Sequence, residues 1–197
     1  MATILSTPVI TPALRLIAVV CAKLSGWTMT CEKPVVKKAI FIGAPHTSNW
    51  DFLVMVMGIL IWRIDIHWLG KHTLFIGPLG PIMRWLGGIP IDRGNTRNFV
   101  DQMICKFDES QELLLIIAPE GTRSPVERWR SGFYYIAHGA GIPLVLSYID
   151  YASKEIGIEA IEQPSGDFEN DMARYHAFYA SKTGKNPQNY SSYLKKD

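Results

Sequence analysis

The sequence has little charge and little cysteine. Asp, Glu, Lys and Arg make up 19% of its 197 residues, whereas hydrophobic residues make up 48%. The three cysteines, Cys21, Cys31 and Cys105, are an odd number without the spacing of a metal site, so we expect free thiols in a reducing compartment and no bound metal. The length is that of one domain with a full core. A chain with this apolar composition either builds a large core or keeps an apolar surface for lipid or a partner.

Several well-defined functional motifs are absent. The sequence contains no G-x-S-x-G nucleophile motif, no phosphate-binding P-loop, no G-x-G-x-x-G dinucleotide motif and no H-E-x-x-H zinc motif. Its 20 basic and 18 acidic residues nearly balance, and no basic stripe is interleaved with aromatic residues. We therefore expect no nucleic-acid partner.

The chain also has no run of about 20 apolar residues, the length that a transmembrane helix needs. The apolar segment 13–31 is interrupted by Arg15 and Lys23, which lie about 80° apart on a helix of 100° per residue. This leaves a broad apolar face with a basic edge, which predicts an amphipathic helix lying in a membrane interface. Two alternatives remain open: an ordinary amphipathic helix packed on the domain, and a short, poorly anchored span.

Strand-length and helix-length apolar segments alternate along the rest of the chain. The runs AIFIGA (39–44) and LLLIIA (113–118) are nearly continuous, as is typical of central strands covered on both faces. The alternation predicts an α/β fold, a single domain with a mixed, largely parallel central sheet flanked by helices. The apolar run 52–62 is too short to cross a membrane and predicts a buried helix. A further helix is predicted over 168–181, followed by a loose tail.

The first candidate functional motif is His46 with Asp51, in the segment GAPHTSNWDF that follows the first of these strands. On one continuous helix the two side chains would point about 140° apart. If His46 lies in the loop and Asp51 in the first helical turn, the imidazole can fold back onto the carboxylate, which would raise the basicity of its other nitrogen. The alternative is structural: Ser48 as N-cap and Asp51 three residues later form a capping box.

Two further motifs follow predicted strands. Arg93, at the exit of the strand 89–92, is placed to bind a phosphate or carboxylate, or else to form a surface ion pair. The segment APEGTRS (118–124) follows LLLIIA, and α/β sheets bind ligands at such carboxyl ends. Gly121 permits a tight turn, Thr122 and Arg123 can donate to an anion, and Glu120 can brace an arginine or accept from a hydroxyl. The alternative here is a helix capped by Ser124.

In their order, these motifs resemble the glycerolipid (PlsC-like) acyltransferase family. The resemblance rests on His46-x4-Asp51, a strand ending in Ile-Asp-Arg93, and Pro-Glu-Gly-Thr-Arg-Ser (119–124), with further similarity in Trp-Arg-Ser-Gly (129–132) and Gly-Ile-Pro-Leu-Val (141–145). It covers about residues 40–149, just over half of the chain.

The resemblance implies a function and roles for the residues. His46 would be the general base on an acceptor hydroxyl and Asp51 would orient it. The acceptor's phosphate site would be formed by Arg93, Glu120, Gly121, Thr122 and Arg123. The acyl donor would be an acyl thioester, acyl-CoA or acyl carrier protein. The default acceptor would be the lysophospholipid 1-acyl-glycerol-3-phosphate. No cofactor or metal would be needed.

These interpretations predict a membrane-associating segment (1–35), an acyltransferase catalytic domain (36–165), and a C-terminal helix and tail (166–197). The protein would act at the cytoplasmic face of a membrane, as a peripheral or monotopic protein whose partner is the lipid surface. The sequence gives no oligomeric state. The alternatives are an O-acyltransferase for another lysolipid or hydroxylated lipid, a His-Asp hydrolase of thioesters or esters, and a non-catalytic lipid-binding protein.

Overall fold

The structure is a computed structural model that describes residues 3–30, 34–91 and 99–190. A sheet is covered on both faces by helices. The strands are β1 Thr28–Met29, β2 Lys38–Ala44, β3 Ile66–Lys71, β4 Gly88–Ile91, β5 Leu113–Ile117, β6 Leu144–Asp150 and β7 Glu155–Glu162. The helices are α1 Ile10–Ser25, α2 Trp50–Trp62, α3 Leu79–Trp85, α4 Phe99–Glu109, α5 Gly132–Gly139 and α6 Phe168–Tyr179, with 3₁₀ turns at His72–Phe75 and Pro187–Asn189.

The sheet has the strand order β1-β7-β6-β2-β5-β3-β4. Neighbouring strands are parallel except for the pair β6 and β7. The central strand β2 lies between β5 and β6, with Ile42 paired to Ile117 and Ala44 paired to Tyr148. The loops that follow these three strands therefore leave the same edge of the sheet. The predicted α/β class and the mixed, largely parallel sheet are confirmed.

Successive side chains of β2 enter two different cores because a strand alternates its faces. Ile40 and Ile42 belong to the core under α4, α5 and α6. Ala39 and Phe41 belong to the core under α2. The continuous apolar run that predicted a central strand thus reflects burial on both faces.

The helix α1 lies on α2 through small side chains and leaves its large ones exposed. Its buried residues are Ala18 and Ala22, and Ala18 packs in a small cluster with Leu60 of α2. Its exposed apolar residues are Ile10, Leu16, Ile17, Val19, Val20 and Leu24. The contact of α1 with the domain is therefore formed by its alanines and the partly buried Leu14, and not by the exposed large side chains. Among the described helices, none combines the length and apolarity that a bilayer crossing requires.

The elements predicted over 39–44, 52–62, 113–118 and 168–181 have observed bounds within two residues of the predicted ones, and two features differ. The strand β1 was not predicted, since two residues carry no periodic pattern. The prediction of a loose tail is wrong for residues 183–190. The Thr183 carbonyl accepts from the Tyr151 backbone N–H, and Asn186 donates to Thr47. These partners are distant in sequence, so no local sequence pattern predicted the contacts.

Candidate active site

His46 and Asp51 meet in the loop that joins β2 to α2. The strand ends at Ala44 and the helix begins at Trp50, so His46 lies outside the helix and Asp51 lies in its first turn. The imidazole Nδ1 is 3.1 Å from the Asp51 Oδ2. Because Asp51 engages Nδ1, Nε2 is the nitrogen left for another partner.

The Asp51 carboxylate accepts from several donors at once. Its Oδ2 accepts from the backbone N–H of Thr47 at 2.8 Å and of Ser48 at 2.9 Å, in addition to His46. Its Oδ1 accepts from the Tyr151 hydroxyl at 2.9 Å. Asp51 is 5% exposed, so each of these bonds is shielded from water.

The helix start differs from the predicted capping box by one position. Asn49, not Ser48, occupies the N-cap and its side chain makes no cap hydrogen bond. The Ser48 hydroxyl accepts instead from the Trp50 backbone N–H at 3.2 Å. Asp51 still binds the backbone of the preceding loop, as the acidic member of a capping box does.

Opposing effects act on the ionisation of Asp51. Burial raises the pKa of the carboxyl, but hydrogen bonds from His46, from the Ser48 backbone and from Tyr151 lower it, and the net pKa is below the ordinary value. Asp51 is therefore a stable anion beside the imidazole at neutral pH.

Glu120 lies against the backbone of the same loop. Its Oε1 accepts from the His46 backbone N–H at 3.0 Å, and its Oε2 has no hydrogen-bond partner in the described part of the chain. Burial raises the pKa of this carboxyl to about 7. Glu120 was expected to brace Arg93 or Arg123. It makes no ion pair with Arg123, and Arg93 lies outside the described residues.

A cavity of about 820 Å³ opens beside His46. Its size is that of a small-molecule site. One face of α2 lines it with residues spaced three or four apart along the helix: Asp51, Phe52, Met55, Gly58, Ile59 and Trp62. The sheet contributes further apolar lining from Phe41, Ile66, Trp68, Ile116 and Ile156. Asp51 and Trp62 are eleven residues apart, which is about 16 Å along a helix axis, so the cavity follows α2 over about that length.

Cationic side chains belong to the same cavity. Lys71, Arg123 and Arg130 line it together with Gly121 and Thr122. Gly121 has a φ of 65°, and a Cβ placed there would be 2.8 Å from the Arg130 Nε. A side chain at position 121 is therefore disfavoured by the backbone conformation, and it would also require the Arg130 side chain to move. Neither Arg123 nor Arg130 is buried.

The predicted site residues thus fall into two groups. His46, Asp51, Gly121, Thr122 and Arg123 line the cavity, whereas Glu120 lies behind the loop and does not. The alternative of a helix capped by Ser124 is wrong, because the next helix begins at Gly132.

Two residues at this site were missed at the sequence level. Arg130 stands in the aromatic-basic-x-Gly segment that was noticed but given no role. Tyr151 follows β6 directly, at the carboxyl end of a central strand, and the rule that singled out 118–124 applies to it equally. Among the described residues, no three His, Cys, Asp or Glu side chains are grouped so that they could hold a metal ion.

Comparisons with known proteins match this region. The family model described as "Acyltransferase" matches residues 29–149. The "Probable 1-acyl-sn-glycerol-3-phosphate acyltransferase" of Mycoplasma pneumoniae is 30% identical over 121 residues, which are 56% of this chain and 44% of that protein. The chain therefore spans less than half the length of this curated relative.

A solved structure has a similar fold. The crystal structure of the 1-acyl-sn-glycerophosphate acyltransferase PlsC from Thermotoga maritima matches with a TM-score of 0.59 and 18% identity, over 84% of this chain and 74% of that one. The family match covers more than half of the chain and includes His46, Asp51, Glu120, Arg123 and Arg130. On this match, and with the loops after β2 and β5 meeting at one apolar cavity, the chain belongs to the acyltransferase family.

Proposed function

We propose that the protein transfers a fatty acyl group from an acyl thioester to a hydroxyl of a lysophospholipid, by default 1-acyl-glycerol-3-phosphate, to give phosphatidic acid. The observation that carries the proposal is the position of the His46–Asp51 pair. His46 lines a cavity whose other lining is largely apolar side chains and a set of cations. Such a lining suits a substrate with a hydrocarbon chain and an anionic group.

In the proposed reaction His46 is the general base. Asp51 holds the Nδ1–H, so Nε2 is free to take the proton of the acceptor hydroxyl. The hydroxyl oxygen attacks the thioester carbonyl, a carbon–oxygen bond forms and the carbon–sulfur bond breaks. The leaving thiolate then takes from His46 the proton that came from the acceptor hydroxyl. The step requires no covalent acyl-enzyme, no metal and no cofactor beyond the thioester substrate, acyl-CoA or acyl carrier protein.

In the proposed complex the acceptor phosphate lies near Gly121 and Thr122 and pairs with arginine. Arg123 and Arg130 both line the cavity, and a guanidinium can bind phosphate through two parallel hydrogen bonds. Arg93 belongs to the same proposal through the family motif. Glu120 contributes indirectly, by holding the His46 backbone.

The proposed place of action is the cytoplasmic face of a membrane. The exposed apolar side chains of α1, with Lys23 in its last turn, suit a helix lying in a lipid interface. The odd number of cysteines favours a reducing compartment. The partners in this proposal are the lipid surface, the lysophospholipid and the acyl donor.

The test is thiol release from a long-chain acyl-CoA, and from acyl carrier protein, with and without 1-acyl-glycerol-3-phosphate. We expect release that depends on the acceptor and falls by 100-fold or more in His46→Ala, on the order of the general-base contribution. Arg130→Ala should mainly raise the KM for the phosphorylated acceptor, since it removes a ground-state contact. Arg128→Ala is the matched control, because Arg128 is exposed and does not line the cavity.

Other outcomes would overturn parts of the proposal. Release that needs His46 but ignores every lysolipid identifies a hydrolase, in which water replaces the acceptor hydroxyl. Acceptor-dependent release with an unphosphorylated lipid, unchanged in Arg130→Ala, identifies a different O-acyltransferase. Full activity in His46→Ala removes the general-base assignment.

A further inference from the structure

Tyr151 contacts Asp51 from the side opposite His46. It directly follows β6, which ends at Asp150, and its hydroxyl donates to the Asp51 Oδ1 at 2.9 Å. The other carboxylate oxygen, Oδ2, is occupied by His46 and by the loop backbone. The Tyr151 bond is therefore the contact at Oδ1 that, together with the partners of Oδ2, fixes the plane of the carboxylate against the imidazole.

The Tyr151 hydroxyl is held in its donor form. Burial and the negative charge of Asp51 both raise the pKa of Tyr151, so the phenol keeps its proton at neutral pH. A neutral hydroxyl that donates to a buried carboxylate makes a charge-assisted hydrogen bond.

A C-terminal segment ties Tyr151 to the loop of His46. We call residues 183–186 the C-terminal strap. The Tyr151 backbone N–H donates to the Thr183 carbonyl at 2.9 Å. Three residues on, Asn186 donates from its backbone to the Thr47 hydroxyl at 3.1 Å and from its side-chain amide to the Thr47 carbonyl at 3.0 Å. The strap thus binds both Tyr151, whose hydroxyl contacts Asp51 Oδ1, and Thr47, whose backbone N–H contacts Asp51 Oδ2.

The strap packs too closely on the loop to move without breaking these bonds. A Cβ on Gly184 would be 2.7 Å from the Thr47 hydroxyl and 2.8 Å from its methyl group. The Tyr151 ring has Trp27 at its edge, with centroids 5.1 Å apart, and the Lys185 ammonium 5.4 Å from its centroid. The same ammonium is 5.3 Å from the Trp50 ring.

We propose that Tyr151 is a positioning residue for the Asp51 carboxylate, and that the C-terminal strap holds Tyr151 and the His46 loop in register. The inference rests on the proposed function for its effect on rate, but not for its effect on His46. Without the Tyr151 hydroxyl, the carboxylate keeps its two backbone bonds at Oδ2 but loses its partner at Oδ1, so the orientation of its plane toward Nδ1 is less tightly fixed. The imidazole then spends less time with Nε2 aimed at an acceptor.

The first experiment compares the wild type with Tyr151→Phe, which removes the hydroxyl and keeps the ring. We expect kcat to fall about 10- to 100-fold, the size expected for a lost hydrogen bond to a charged group, with the KM of both substrates unchanged. Tyr135→Phe is the control, because Tyr135 is half-exposed and lies outside the cavity lining. An unchanged kcat, or a raised KM with unchanged kcat, overturns the positioning role.

The second measurement records the imidazole resonances of His46 by NMR at one fixed pH in the same variants. Asp51 contacts the imidazole Nδ1, and Tyr151→Phe removes a hydrogen-bond partner of Asp51. We expect the His46 resonances to change in Tyr151→Phe and to stay in Tyr135→Phe. Unchanged resonances overturn the proposal even if activity falls. If the wild type transfers no acyl group at all, the proposed function fails while this comparison still tests the role of Tyr151.

The strap is tested by Asn186→Ala, which removes the amide donor to Thr47 and keeps the backbone bond. We expect a smaller fall in kcat than in Tyr151→Phe, in the same direction, with a change in the imidazole resonances of His46. Gln188→Ala, an exposed change two residues on, should alter neither. Equal behaviour of Asn186→Ala and Gln188→Ala removes the strap from the proposal.

Discussion

At the scale of single residues, Asp51 unites two interpretations that the sequence left as alternatives. The carboxylate binds the backbone of the loop before α2, as a capping residue would, and also contacts the His46 imidazole. Both are possible because one carboxylate has about four acceptor positions. A structural role for Asp51 is therefore no argument against a chemical one.

Glu120 gives the residue-scale prediction, because it is a buried carboxyl whose pKa of about 7 lies above its ordinary 4.5. Between these values the folded protein binds a proton that the unfolded chain releases, so stability falls as pH rises from about 4.5 to 7 and is level above. The loss is on the order of 3 kcal/mol. In Glu120→Gln we expect a smaller loss, measured as urea midpoints at pH 5 and 7.5.

The matched control for this prediction is Glu127→Gln, an exposed carboxyl in the same connection between β5 and α5. It should keep the pH dependence of the wild type. If Glu120→Gln follows the wild-type curve as well, the pH dependence comes from another group and Glu120 is not protonated in the folded protein.

At the scale of elements, α2 provides both the loop geometry and the cavity. Its first turn contains Asp51, and the same face continues to Trp62 along the cavity. Gly58 interrupts this face at a buried position. A glycine inside a helix lowers the stability of the helix by about 0.5–1 kcal/mol relative to alanine. At position 58 the missing side chain also leaves space in the cavity.

We therefore expect Gly58→Ala to raise the free energy of unfolding by about 0.5–1 kcal/mol, measured by urea denaturation. The added Cβ would lie 3.5 Å from the Ile156 Cγ2, an ordinary contact. In Gly70→Ala the opposite sign is expected, because its Cβ would be 2.6 Å from the Trp68 ring. A destabilising Gly58→Ala would show that the cavity wall at this point is already closely packed.

At the scale of the whole molecule, exposed apolar side chains lie on two neighbouring segments. One is α1, and the other runs from the 3₁₀ turn into α3, with Leu74, Ile76, Leu79 and Ile82 exposed. The segment before α1 is bonded to the end of α3, where the Trp85 carbonyl accepts from the Ile4 backbone N–H and the Trp85 indole donates to the Thr7 hydroxyl. The two segments that expose large apolar side chains are thus tied to each other through Trp85.

Replacing Leu16 and Leu24 by Glu should weaken binding to phospholipid vesicles by at least tenfold, since burying one such side chain contributes about 1.5–3 kcal/mol. The two residues are 66% and 84% exposed, so the fold should be unaffected. Co-sedimentation measures the effect, with Ile161→Glu on β7 as the control, at 44% exposure. Deleting residues 1–30 is a poorer test, because it would also uncover Leu60.

Unchanged vesicle binding in the double variant would remove α1 from the proposed lipid-facing surface. Equal loss in the Ile161→Glu control would show a general effect of added negative charge, and the result would no longer distinguish α1 from the rest of the surface.

The sequence by itself determined the central strands and the α/β class, and it indicated a contact between His46 and Asp51 while leaving a capping role for Asp51 as the alternative. Those depend on local patterns: apolar runs, the spacing of two residues, and the start of a helix between them. It did not assign Arg130, which contacts Gly121 within the connection between β5 and α5, or Tyr151, which binds Asp51 from the end of another strand. For Glu120 the sequence suggested an arginine or a hydroxyl as partner. The structure shows a bond to the His46 backbone N–H instead, and backbone groups have no sequence signature.

Tertiary structure alone decided which groups surround Asp51 and where the tail lies. Tyr151 and Asp51 are 100 residues apart, and Asn186 and Thr47 are 139 apart. Parallel strands bring the ends of β2 and β6 to one edge of the sheet, and the tail returns to that edge after α6. The local periodicity of a chain reports which face of an element is buried; it contains no information about which distant segment covers that face.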